Sequence, residues 1–192
     1  MITPGGYPRS VRQVKGLRIE MIDLNRLIRD VKGVSLEGLI RSAIIIRDDT
    51  EKTSPVTPVD LGNLRASWFV VSAKGTAPDP TGYSGKFRNN PAIKKTAGQF
   101  KAERSALIAA AQTKVVTYKD PVVIMGYSAN YAMWVHEMID ADFTSIRKRW
   151  RRPGHYQKYT PRAGAGAKWF EAAIKRNKNV IVETVAKYAI IP

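Results

Sequence analysis

Thr57-Pro58-Val59-Asp60-Leu61-Gly62-Asn63-Leu64-Arg65-Ala66-Ser67-Trp68-Phe69-Val70-Val71 is the stretch on which the fold turns. Two prolines at 55 and 58 stop whatever helix precedes it, because each lacks an amide donor and restricts the residue before it. Gly62 adopts positive φ at little cost, and the Asp60 carboxylate is placed to cap backbone donors in the same turn. Trp68 to Val71 is aromatic and β-branched, the composition of a strand. The segment therefore predicts a tight helix-to-strand corner.

Working outward, Leu17 to Asp23 alternates apolar and polar residues and predicts a short half-buried strand. Leu24, Leu27, Ile28 and Val31 then mark one face of a short helix ended by Gly33. Ser35 suits the N-cap of a second helix running to about Lys52, with Leu36, Leu39, Ile40, Ala43 and Ile44 on its buried stripe. On the other side of the corner, residues 72–114 are rich in Gly, Pro, Lys and Asn. They hold one expected helix, about 96–113, and form a long excursion between two strands that belong together. Lys114 to Lys119 and Val122 to Tyr127 supply strand material, and 130–138 a helical turn. Ala163-Gly164-Ala165-Gly166 reads as a flexible joint. Residues 167–190 read as the longest helix, with Asn177 its odd polar member. The sum is one α+β domain over 1–192: a small antiparallel sheet packed on one face by helices, with an N-terminal arm (1–16), the 72–114 insertion, a basic loop or arm (143–166) and a long C-terminal helix.

The chain has 192 residues, with 32 Lys plus Arg against 16 Asp plus Glu, a formal net charge of +16. At 44% hydrophobic and 25% charged it has the composition of a folded globular chain, and this length buries roughly 70% of the unfolded surface in a single core. Residues 143–192 alone hold 12 basic and 2 acidic side chains, so +10 of the excess is local. Within it, Arg147, Lys148, Arg149, Arg151, Arg152, Lys158 and Arg162 interleave with Trp150, Tyr156 and Tyr159. No carboxylate occurs between Asp142 and Glu171. Such a segment suits DNA backbone phosphates, with aromatics available to stack on exposed bases. A solvated face, or a dock for an acidic subunit, are the alternatives. No zinc-finger spacing, zipper heptad or RNA-binding signature is present to read bases specifically.

Catalytic chemistry finds little purchase. With no cysteine there are no disulfides, thiol nucleophiles or cysteine-held metals. His136 and His155 are the two histidines, and the adjacent pair His136-Glu137 makes no chelate by itself. Nucleophile elbow, Walker loop and dinucleotide fingerprint are all absent. A nuclease would have to use Asp60 or Glu137, and Asp60 in its turn reads as a structural cap. No catalytic, cofactor or metal residue is therefore expected. The apolar runs are far below the roughly 20 residues of a membrane span, and the N-terminus lacks the pattern of a secretory signal.

Three segments and their order resemble a family. The run 57–67 resembles the "aPvDTGxLRxS" signature of the neck and tail-completion proteins of tailed bacteriophages, with Pro58, Asp60, Gly62, Leu64 and Arg65 at its positions. Tyr131-Ala132-Met133-Trp134-Val135-His136-Glu137 resembles the later "YAxxVExG" element, with Tyr131, Ala132 and Glu137 matching. The helix from Ala167 fits the closing helix of such sequences. Leu61 stands where the family has Thr, and Met138 to Asp142 replaces its Gly-Thr turn. The resemblance implies a non-enzymatic virion protein made in the host bacterial cytoplasm. It implies a homo-oligomeric ring, hexamer or dodecamer, in the neck between head and tail. Its partners would be head-closure or adaptor, tail-terminator or tail-tube proteins, with genomic DNA passing through the channel. On that reading Tyr83, Phe87 and Phe100 of the insertion are expected at subunit contacts. The alternative from composition alone is a free basic protein contacting the DNA backbone.

Overall fold

The computed structural model describes residues 15–59, 61–91, 94–141, 143, 148–152, 155–158 and 162–189, with backbone alone for 15–32, 34, 148–152 and 155–158. A helix α1 (Lys15–Lys52) of 38 residues, about 57 Å long, leads into the corner. There Gly62, at φ 82°, opens the single turn α2 (Asn63–Ala66). Strand β1 (Trp68–Ser72) follows and pairs antiparallel with β2 (Gly75–Thr76) on one side and β3 (Val123–Tyr127) on the other. The register runs Trp68 opposite Tyr127 to Ser72 opposite Val123. The excursion from 72 thus does return to the partner strand, and it carries α3 (Ala97–Val115), started by a capping box in which Gln99 N donates to Thr96 Oγ1 and Thr96 N to Gln99 Oε1.

All five residues of β1 are buried, because helices cover both faces of the sheet rather than one. Phe69 and Val71 pack with Ala111 and Val115 of α3, while Trp68 and Val70 pack with Ala43 of α1. A strand buried on both sides reads as a continuous apolar run, which Trp68 to Val71 is. The α+β class stands.

Several local expectations are corrected. Residues 17–23 are helical, not a strand: Leu17, Met21, Leu24, Ile28 and Val31 also recur at helical spacing, and the longer period won. Gly33 lies inside α1, since a mid-helix glycine costs only about 1 kcal/mol against alanine. Lys114 and Val115 end α3, residues 116–117 form a turn and 119–120 a bend, so 114–119 is no strand. The C-terminal segment is two helices, α5 (Trp169–Arg176) and α6 (Lys178–Ala189). They meet at Asn177, whose side-chain amide donates to Ala173 O at 2.9 Å. The longest helix is α1. At Gly38 it meets α6 so closely that a Cβ would stand 2.9 Å from Val185 Cα. The expected joint at 163–166 is anchored instead: Val56 N donates to Gly164 O at 2.9 Å, Gly166 N to Val56 O at 3.4 Å, and Ala165 is buried. Of the N-terminal arm, only Lys15 and Gly16, which open α1, are described. The basic segment contains a separate two-stranded ribbon, β4 (Lys148–Arg152) with β5 (His155–Lys158), which pairs with no strand of the main sheet.

Candidate assembly face and basic ribbon

The two motif segments meet at one end of the sheet, around α4 (Ala132–Glu137). Leu64 and Ala132 join Ala129 and Trp169 in a buried cluster against which Tyr131, Val135 and Phe170 pack. Tyr131 meets Phe100 edge to face at 6.4 Å between centroids, and Phe87 stacks on Phe100 at 5.6 Å. Phe100 is 1% exposed, so it belongs to the core rather than to a subunit contact; of the insertion's three aromatics only Tyr83 is exposed. Asp60 lies outside the described residues. Pro58 is buried beside Thr57.

Arg65 lies in a buried ionic hub. Glu51, at the end of α1, accepts from three guanidinium groups: Arg47 Nη1 at 2.8 Å, Arg65 Nη2 at 2.6 Å and Arg162 Nη1 at 2.7 Å. Arg47 is fully buried. It also donates to Asp79 at 3.2 Å, to the Tyr127 hydroxyl at 3.3 Å and to Arg65 O at 3.1 Å. Burial works against its charge, but Tyr127, Glu51 and Asp79 outweigh that and raise its pKa. Burial likewise works against the Asp79 carboxylate, yet the hydrogen bonds and charge of Arg47 and the bonds from Thr81 pull its pKa down. Asp79 further accepts from the backbone amides of Thr81, Tyr83 and Ser84, which fixes the start of the excursion. The Arg65 guanidinium lies 3.6 Å from the centre of the Tyr83 ring.

Arg162 stands apart from the other cations of the basic segment. Its guanidinium is spent on Glu51 and on the Thr57 carbonyl, which ties the chain leaving the basic segment to α1. Arg147 lies outside the described residues. Lys148, Arg149, Arg151, Arg152 and Lys158 all lie on the ribbon, away from the motif corner in the pairing pattern. Glu137 is exposed, forms an ion pair with Lys168 and shares a hydrogen bond with His136 Nδ1 at 2.8 Å; the Lys168 hydrogen bond, then that of His136, lowers its pKa. The His136 ring stands edge to face on Trp169, 4.8 Å between centroids, so it packs as a core-edge histidine. Among the described residues no three His, Asp or Glu side chains gather to hold a metal, and no helix is long and apolar enough to cross a membrane.

The outer side of this corner carries four exposed apolar side chains. Met133 (68% exposed), Trp134 (70%), Met138 (50%) and Ile139 (69%) follow one another along α4 and the turn after it. Sequence reasoning missed this patch, and it missed the hub too. The signal for the hub was present: Arg47 and Glu51 stand four and eight residues after Ala43, on the stripe that helical spacing assigns to the core. The signal for the patch was four large apolar side chains in a segment too short to bury them all. Compared with known protein families, curated proteins and solved structures, the chain matches none.

Proposed function

We propose that the chain is a virion structural protein, the subunit of an oligomeric ring in the neck of a tailed phage that joins head to tail, without enzymatic activity. The observation that carries this reading is the exposed apolar run Met133-Trp134…Met138-Ile139 on and just after the segment that resembles the family element. Monomers rarely leave so concentrated an apolar patch in water, and desolvated Trp and Met are typical of interface centres. A ring needs a heterologous interface that closes, and this patch supplies one of its two sides. Lys148, Arg149, Arg151, Arg152 and Lys158 give the ring a basic element for DNA in transit.

Sedimentation of the purified chain tests the assembly: a closed oligomer, hexamer or dodecamer, is expected, and Trp134→Ser with Met133→Ser should yield folded monomers, with the circular dichroism of the parent chain and a melting temperature that no longer depends on concentration. Particles made without the protein should show heads and tails unjoined; normal infectious particles would overturn the reading. A free DNA-binding protein is the second reading, favoured by the ribbon's separation from the main sheet. It predicts a monomer that binds DNA with steep salt dependence.

A further inference from the structure

We infer that the β4–β5 ribbon is a strand-selective site: one of its faces takes unpaired nucleobases, so that it binds single-stranded nucleic acid in preference to duplex. The argument rests on register. Lys148 pairs with Lys158, Trp150 with Tyr156 and Arg149 with Gln157, and an irregularity between Trp150 and Arg152 lets Arg152 pair with His155. Directly paired residues of an antiparallel ribbon share a face, and neighbours along a strand alternate. Lys148, Trp150, Tyr156 and Lys158 therefore belong to one face, and Arg149, Arg152, His155 and Gln157 to the other. The sequence alone shows only basic and aromatic residues interleaved; the pairing sorts them into two chemistries.

The first face is an aromatic pair flanked by an ammonium pair. Cross-strand neighbours lie about 5 Å apart, and the step from Lys148 to Trp150 is about 6.8 Å. That is the layout of a stacking platform with cations beside it for the phosphates of the stacked nucleotide. A duplex cannot use it without unstacking a base step, which costs a few kcal/mol, because its base faces are covered and only edges reach the grooves. The second face, with two arginines and a histidine, meets phosphates of either form. Cross-strand Trp–Tyr pairs also steady a ribbon by themselves, so the experiment must separate stacking on a base from stacking within the ribbon.

This inference deepens the nucleic-acid part of the proposed function and does not need the ring. The full chain, with Trp134 in place, is titrated into a fluorescein-labelled 12-nucleotide oligo(dT) and into a labelled duplex of equal length, and binding is read from the anisotropy of the label, which does not depend on Trp150. Tighter binding of oligo(dT) than of duplex is expected. Trp150→Ile, which keeps strand propensity and removes the ring, should weaken oligo(dT) binding about 5- to 150-fold and duplex binding less than about 2-fold; Trp150→Phe should restore most of the loss. Equal affinity for both forms with Trp150→Ile silent would overturn the inference and leave a plain polyanion contact. No binding to either at low salt would overturn it in favour of an acidic protein partner. Sedimentation of the same samples reads the ring independently: a monomer that still prefers oligo(dT) refutes the ring and keeps this site.

Discussion

Replacing Glu51 by Gln removes the one carboxylate that three guanidinium groups share. The Glu51 side chain is 6% exposed, and the partners Arg47, Arg65 and Arg162 are 0%, 15% and 23% exposed. The hub holds three cations against Glu51 and Asp79, so the variant leaves three against one. A unit-charge pair at about 4 Å is worth about 4 kcal/mol at an effective dielectric of 20, and breaking one partner of a buried pair costs about 3–5 kcal/mol. Glutamine keeps one acceptor oxygen but turns an amide donor toward guanidinium donors, so little of that is recovered. For a chain of this size the loss corresponds to a melting point lower by about 6–20 °C. Thermal and urea unfolding should show the fall in midpoint with an unchanged urea slope. Combined with Arg162→Gln, the double mutant should be less destabilised than the sum, with a coupling of about 0.5–3 kcal/mol. A loss under 1 kcal/mol with additive singles would refute the idea that this carboxylate compensates the buried arginines.

The Asp79 pKa is lowered in the folded state, so the unfolded chain binds the extra proton: stability is full above about pH 4 and falls as pH drops through the folded pKa. Asp79→Asn should therefore flatten the acid limb of a stability-against-pH curve, and an unchanged limb would contradict the assignment. Gly38→Ala and Gly33→Ala should have opposite signs. At Gly38 the new Cβ meets Val185 Cα at 2.9 Å, and overpacking of about 1–3 kcal/mol outweighs a propensity gain of about 1 kcal/mol; at Gly33 nothing lies within 4 Å, so chemical denaturation should report a gain of about 0.5–1 kcal/mol. Trp169→Ala, which empties a site 1% exposed, should cost about 3–5 kcal/mol by the same assay.

How much of this was legible beforehand depends on the range of the interaction. The corner at Gly62, the strand from Trp68 and the helix that begins near residue 96 are set by side chains within a few residues, and they lie where their chemistry puts them. The fate of Leu17 to Asp23 was not local, because seven residues can satisfy both the strand and the helix period. Neither was the anchoring of Ala163 to Gly166, which depends on Val56 more than a hundred positions earlier. Arg162 illustrates the limit for function: in a run of cations it looks like its neighbours, and only the approach of Glu51 sets it apart.

The backbone amide of Lys168 donates to the His136 carbonyl at 2.8 Å, and just inside that bond Arg162 is fastened to Glu51. The sequence between 137 and 162 thus begins and ends at points fastened to the domain. A loop closed in this way changes its entropic cost slowly, by about 0.6 kcal/mol for each doubling of its length. The ribbon can therefore be lengthened, shortened or exchanged for another at little entropic cost to the core, so that the surface it offers and the architecture of the domain are free to evolve as separate modules.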